Sequence, residues 1–193
     1  MKIGRRFTNF QVVSPYIKLM GKGVSEYLPS FSPTDFNYDL SNGGIKMKEF
    51  LKLFALSIWM LPQNILGFIC FMGFLILDFF SGGDFNVVRY KNTGRVILLS
   101  SHQYAGVTLG FFSVLSYRDS IRYPRYFYKT LGHETGHFIQ NEILGPLYTI
   151  VIAIPSVTWN IFQYLYHKVT GKELDYYKFY PEKWADKLGR VIR

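Results

Sequence analysis

The chain has 193 residues, enough for one domain with a buried core. It is 49% hydrophobic and 19% aromatic but only 18% charged, below the roughly 25% of soluble domains, so the composition leans toward a membrane protein. The formal charge of +9 suits anionic lipid headgroups, and without a basic stripe, RNP motif or zinc finger it does not point to nucleic acid; the single cysteine, Cys70, excludes an intramolecular disulfide and a cysteine-based metal site.

Residues 1–48 are a polar N-terminal segment. "MKIGRRF" starts with positive charge, but no unbroken apolar stretch or small-residue cleavage site follows, so a signal peptide is not expected. "SEYLPSFSPTDFNYDLSNGG" reads as loop with short elements and holds no candidate site. Residues 49–80 form the first membrane candidate. The 25 residues from Leu53 to Leu77 carry no charge, against the roughly 20 that a spanning helix needs. Pro62 stands in mid-segment, so the stretch is either one kinked span or two shorter helices, a helical hairpin. "SGGD" at 81–84 ends it.

Residues 94–117 are apolar but broken by "SSHQYAG", a turn signal. They predict a β-hairpin over about 95–101 and 106–116, with another spanning helix as the competing reading. A helix follows from about Tyr126 to Leu144, stopped by Gly145-Pro146. Residues 143–166 are again uncharged and are divided by Pro146 and Pro155. A last helix is expected from Pro181 to Ile192.

The chemistry is concentrated in "GHETGHFIQ". On a helix His133 and His137 share one face, about 40° apart, and both imidazoles reach one metal ion; Glu134, about 100° away, stands beside it as a base for water. Glu142 lies about 180° from His133 and faces away. The better third ligand is in "YPEKWADKLG", where Glu182 and Asp186 are four apart on one face: Glu182 as ligand, Asp186 holding the second ring nitrogen of a ligating His. The bland alternatives are a pair of packing histidines and a solvated acidic face interleaved with Lys183 and Lys187. His102 and His167 are read as hydrogen-bonded core residues, and the tyrosine-rich tail as interfacial anchoring.

His133-Glu134-x-x-His137 followed by Glu182-x-x-x-Asp186 resembles the gluzincin signature of thermolysin-like metallopeptidases. That resemblance covers the region from Gly94 on. It implies a zincin-like α+β fold, mainly α, with a strand pair before the HExxH helix. It also implies Zn2+ held by His133, His137 and Glu182, Glu134 as catalytic base, Asp186 behind a ligand, and a peptide or protein substrate. Candidates for stabilising an oxyanion are Tyr176, Tyr177, Tyr180 and His167. "HExGHxxQ…LGPLY…IPS" and "FYPEKWAD" are also similar to a set of small bacterial membrane proteins, which implies no activity.

A straight span over 143–166, about 36 Å long, would put His133 and Glu182 on opposite sides of the bilayer. Lys168, Lys172, Glu173, Asp175 and Lys178 oppose a return through lipid. A break at Pro155-Ser156 would let two half-helices turn back. Basic residues on both flanks also favour a re-entrant or peripheral hairpin with the site on the cytoplasmic side of a membrane. The expected function is a membrane-associated zinc metallopeptidase; the alternative is a non-catalytic membrane protein whose HExxH helix binds metal or only packs.

Overall fold

A computed structural model describes residues 47–89 and 93–193. The expectations for residues 1–46 lie outside them. The protein is mainly helical with one small mixed sheet. Two helices, α1 (Met47–Trp59) and α2 (Leu61–Ser81), meet at Met60. Pro62 falls in the first turn of α2, where its missing N–H has no helical partner to lose.

Four strands follow: β1 (Phe85–Arg89), β2 (Val96–Ser100), β3 (Gly106–Leu109) and β4 (Phe112–Ser116). Their order in the sheet is β1-β2-β4-β3. β1/β2 and β3/β4 are antiparallel, while β2 and β4 are parallel with Leu98 opposite Val114. This differs from the hairpin and from the spanning helix considered for 94–117. The expected second strand is itself the hairpin, folded at Gly110-Phe111, and the first run pairs parallel to its return strand. β1 carries no strong alternation and was not anticipated.

Alternate residues point to opposite faces of a strand, so the sheet has two apolar faces. Ile97, Leu99 and Leu115 pack on Leu131, while Leu98 and Val114 pack on Phe71 of α2. Leu131 belongs to α4 (Pro124–Leu144), which follows a short α3 (Tyr117–Arg122) capped by Ser116. The sheet therefore lies between α2 and the HExxH helix.

After α4 comes a 3-10 turn, Gly145–Leu147, and then a π-helical turn, Thr149–Ala153, that runs into α5 (Ile154–Thr170). The run Pro124–Leu147 and the run Thr149–Thr170 are bent 118° from one another. The break thus falls at Gly145–Tyr148 and not at Pro155-Ser156. Pro155 sits in the first turn of α5, and the carbonyl four residues before it, Val151 O, accepts from Tyr180 Oη instead. The chain then returns along α5: Gln163 Nε2 donates to Leu174 O at 3.0 Å, Tyr176 Oη lies 3.2 Å from Ser156 Oγ, and Tyr180 Oη donates to Val151 O at 2.6 Å. That return delivers α6 (Tyr180–Leu188) to α4.

Candidate metal centre

α4 and α6 cross closely because their contact is built from small residues. A Cβ on Gly136 would stand 2.6 Å from the Ala185 carbonyl carbon and 2.8 Å from its Cα. The glycine of "HETGH" is thus needed for the approach that brings Glu182 and Asp186 to the two histidines.

At this crossing the sequence candidates meet. His133 Nε2 is 3.0 Å from Glu182 Oε2 and 3.1 Å from His137 Nε2, and His137 Nε2 is 3.3 Å from Glu182 Oε2. All three residues are buried. They form the one group with metal-binding geometry among the described residues. A tetrahedral ion with bonds of about 2.0–2.1 Å spaces its ligand atoms about 3.3 Å apart, so the triangle fits.

The surrounding hydrogen bonds decide what the three atoms present. His133 Nδ1 lies 2.7 Å from Asp186 Oδ1, a carboxylate acceptor. His137 Nδ1 lies 2.8 Å from Gln140 Oε1. The Gln140 amide is oriented by its Nε2, which donates to Pro181 O at 2.9 Å. Both imidazoles therefore donate from Nδ1 and turn Nε2 inward. Glu182 Oε1 accepts from Ser156 Oγ, which leaves Oε2 for the centre. His133 Nε2, His137 Nε2 and Glu182 Oε2 thus converge within hydrogen-bond distance, an arrangement that a positive charge satisfies, whether a metal ion or a proton on an imidazole.

The electrostatics agree. Burial disfavours the His133 imidazolium, but hydrogen bonds to Asp186 and Glu182 and the charges of Glu134 and Glu182 outweigh it and push its pKa up to about 9. Burial would also raise Glu182, yet hydrogen bonds from His133 and His137 hold it well below the usual carboxylate range. Asp186 is likewise lowered against its own burial by its bonds to His133 and Arg193. Arg193 grips it from both sides, Nε to Oδ2 at 2.7 Å and Nη2 to Oδ1 at 2.9 Å, while the guanidinium lies 3.1 Å from the Tyr177 ring centroid.

Glu134 stands next to this triangle, buried beneath β3. A Cβ on Gly106 would come within 2.6 Å of its Cδ, so the first residue of β3 has to be glycine for the carboxylate to lie there. Its Oε2 is buried without a hydrogen-bond partner in the protein. A buried carboxylate oxygen left open beside three convergent ligand atoms fits a metal ion and the water it would carry.

Four contributors escaped the sequence reading as site residues: Gln140, Ser156, Arg193 and Gly106. Gln140 alone had a local signal, three residues after His137 on the same helical face. The two aromatic neighbours Tyr176 and Tyr177 belong to the centre rather than to a free surface. Tyr177 stacks edge-on against His133 with centroids 5.4 Å apart, and burial with the Glu182 charge raises Tyr176, which stays a neutral hydroxyl. Tyr180 is spent on Val151 O. His167 is exposed in the last turn of α5, not a core residue, because the bend at Gly145–Tyr148 carries that end of the helix away. Glu142 stands against Lys52 and Trp59, outside the centre as expected.

No known protein family, no curated protein and no solved structure matches the chain. The class of the centre, a buried two-histidine, one-carboxylate cluster able to hold a metal ion, is defined by its own geometry.

Proposed function

We propose that the chain is a membrane-associated, zinc-dependent metallopeptidase of the gluzincin kind. The observation that carries this reading is the convergence of His133 Nε2, His137 Nε2 and Glu182 Oε2 on one point beside the partnerless Glu134 oxygen. His133, His137 and Glu182 would hold the ion, and two nitrogens with one carboxylate leaving an open position is the donor set of catalytic zinc. When bound, the ion polarises a carbonyl and lowers the pKa of water beside it.

The protein's own groups supply the rest. Glu134, with its partnerless Oε2, would take a proton from water and return it to the leaving amine. Tyr176, a neutral hydroxyl beside Glu182, would be the donor to a developing oxyanion. Asp186, ionised and clamped by Arg193, keeps His133 in the tautomer that presents Nε2. A peptide is favoured over a lipid ester because the start of the edge strand β3 runs beside Glu134 and offers backbone to an extended chain. The competing arrangement, a proton on His133 shared with Glu182, leaves Glu134 Oε2 unsatisfied.

Membrane association is supported by α2, the one described helix long and apolar enough to cross a bilayer by itself, and by exposed Ile150, Ile154, Val157 and Ile161 along the elbow and α5. Arg118, Arg122, Arg125 and Lys129 before the elbow and Lys168, Lys172 and Lys178 after it favour the cytoplasmic side for both flanks. The test is metal content and proteolysis of the detergent-purified protein. His133→Ala, His137→Ala and Glu182→Ala lose zinc; Glu134→Gln keeps one equivalent and loses peptide hydrolysis. Wild type without zinc overturns the metal centre, and wild type with zinc but no more hydrolysis than Glu134→Gln leaves a non-catalytic metal protein.

A further inference from the structure

We propose that α2, although long enough to span, does not cross the bilayer: it lies along one leaflet, with its outward face among the acyl chains and its inward face carrying the sheet. The inference deepens the membrane reading above and rests on it.

The inward face of α2 is engaged from end to end. In the first turn Gln63 Nε2 donates to Gly145 O at 2.7 Å, and Asn64 Oδ1 accepts from Phe111 N at 2.9 Å. One turn on, Gly67 packs on Leu109 of β3, and then Phe71 on Leu98 and Val114. In the last turn the buried Asp78 carboxylate accepts from Ser101 Oγ at 2.7 Å and faces His102 Nδ1 at 2.6 Å. The sheet is thus fixed along the length of the helix. If α2 crossed, the sheet would cross with it. Edge strand β1, with Asn86 and Arg89, would then face hydrocarbon, where unpaired backbone groups and charges have no partner. A helix lying flat leaves the sheet and the metal centre on the watery side.

The outward face says what covers it. Ile65, Phe68, Ile69, Ile76, Leu77 and Phe80 are exposed, and no hydrogen-bonding side chain interrupts that face before Ser81. A protein partner would be met with about one hydrogen bond per 100–200 Å² of interface; lipid asks for none. Exposed Trp59 stands where α1 meets α2, and Lys48 and Lys52 lie on α1, as suits an interfacial helix on anionic headgroups.

Residues before and after α2 must then share one side of the membrane. Lys48→Cys and Asp84→Cys, each in the full chain with Cys70→Ser, are probed with a membrane-impermeant maleimide in intact cells and in inverted vesicles. Both are expected to label from the same side, and the protein should stay with membranes through alkaline carbonate yet be released by detergent. Labelling from opposite sides would overturn the proposal and leave the membrane reading standing. Recovery in the carbonate supernatant would overturn both, and would mean that another protein or a second copy covers the face. Zinc content of the same preparations reports on the metal centre independently of either result.

Discussion

Gly136→Ala tests whether the closeness of α4 and α6 sets the metal centre, without touching a ligand. The added Cβ would stand 2.6 Å from the Ala185 carbonyl carbon, where ordinary contact begins at 3.4 Å. The Ala185 carbonyl oxygen is nearer still, so a shortfall of at least about 0.8 Å has to be met by moving one helix from the other, because the obstacle is backbone on both sides. Metal–ligand distances tolerate about 0.2 Å, at most a quarter of that displacement. Two stability effects oppose each other. Replacing glycine inside a helix favours α4 by about 1 kcal/mol, and overpacking costs about 1–3 kcal/mol. Net stability is therefore a poor readout and zinc affinity a sharp one. By competition with a chelator, Gly136→Ala should bind zinc at least about tenfold more weakly than wild type, the lower range for disturbing a ligand's support. Helix content by circular dichroism should stay near wild type, and exposed Lys187→Gln is the control. Unchanged zinc affinity in a folded Gly136→Ala protein would refute the idea that this crossing fixes the third ligand.

Asp186→Asn keeps an acceptor for His133 but loses the charge that Arg193 clamps, so zinc affinity should fall about 10- to 100-fold, with Lys187→Gln unchanged in the same chelator competition. Ser156→Ala removes the donor to Glu182 Oε1, and leaving a buried charged acceptor short costs about 1–3 kcal/mol, read as a zinc dissociation constant raised roughly tenfold; an unchanged constant would show that Ser156 does not hold Glu182. Cysteines at Arg125 and Lys172, in a Cys70→Ser background, should label from one side of intact vesicles, since the elbow returns the chain; labelling from opposite sides is incompatible with the centre described here.

The ligands were legible because their signals are local. Two spacings of four, His133–His137 and Glu182–Asp186, each define a helical face without reference to the rest of the chain. What joins them was not. Ser156 reaches Glu182 only because of the 118° elbow, and Arg193 reaches Asp186 only because Arg190 takes a positive φ of 54° after α6 ends at Leu188. Pro155 looked like the breaker of 143–166, but a proline in the first turn of a helix breaks nothing, and the turn was made at Gly145–Tyr148 instead. The sheet was half legible for a related reason. Its strands read as apolar runs, whereas the parallel pairing of β2 with β4 depends on the Gly110-Phe111 turn and on α2 and α4 covering the two faces.

An ion bound where α4 meets α6 would also act as a clasp. His137 and Glu182 are 45 residues apart, and the elbow, α5 and the returning segment all lie in the loop between them. Closing a loop of that size costs roughly 3 kcal/mol of chain entropy, and a cross-link through the ion removes the freedom to reopen it. Such a tie would add to those the protein makes by itself across the same loop, Gln140 to Pro181 O, Tyr180 to Val151 O and Tyr148 to Thr108 O. Metal supply would thereby add to how firmly the arm is latched to the rest of the protein.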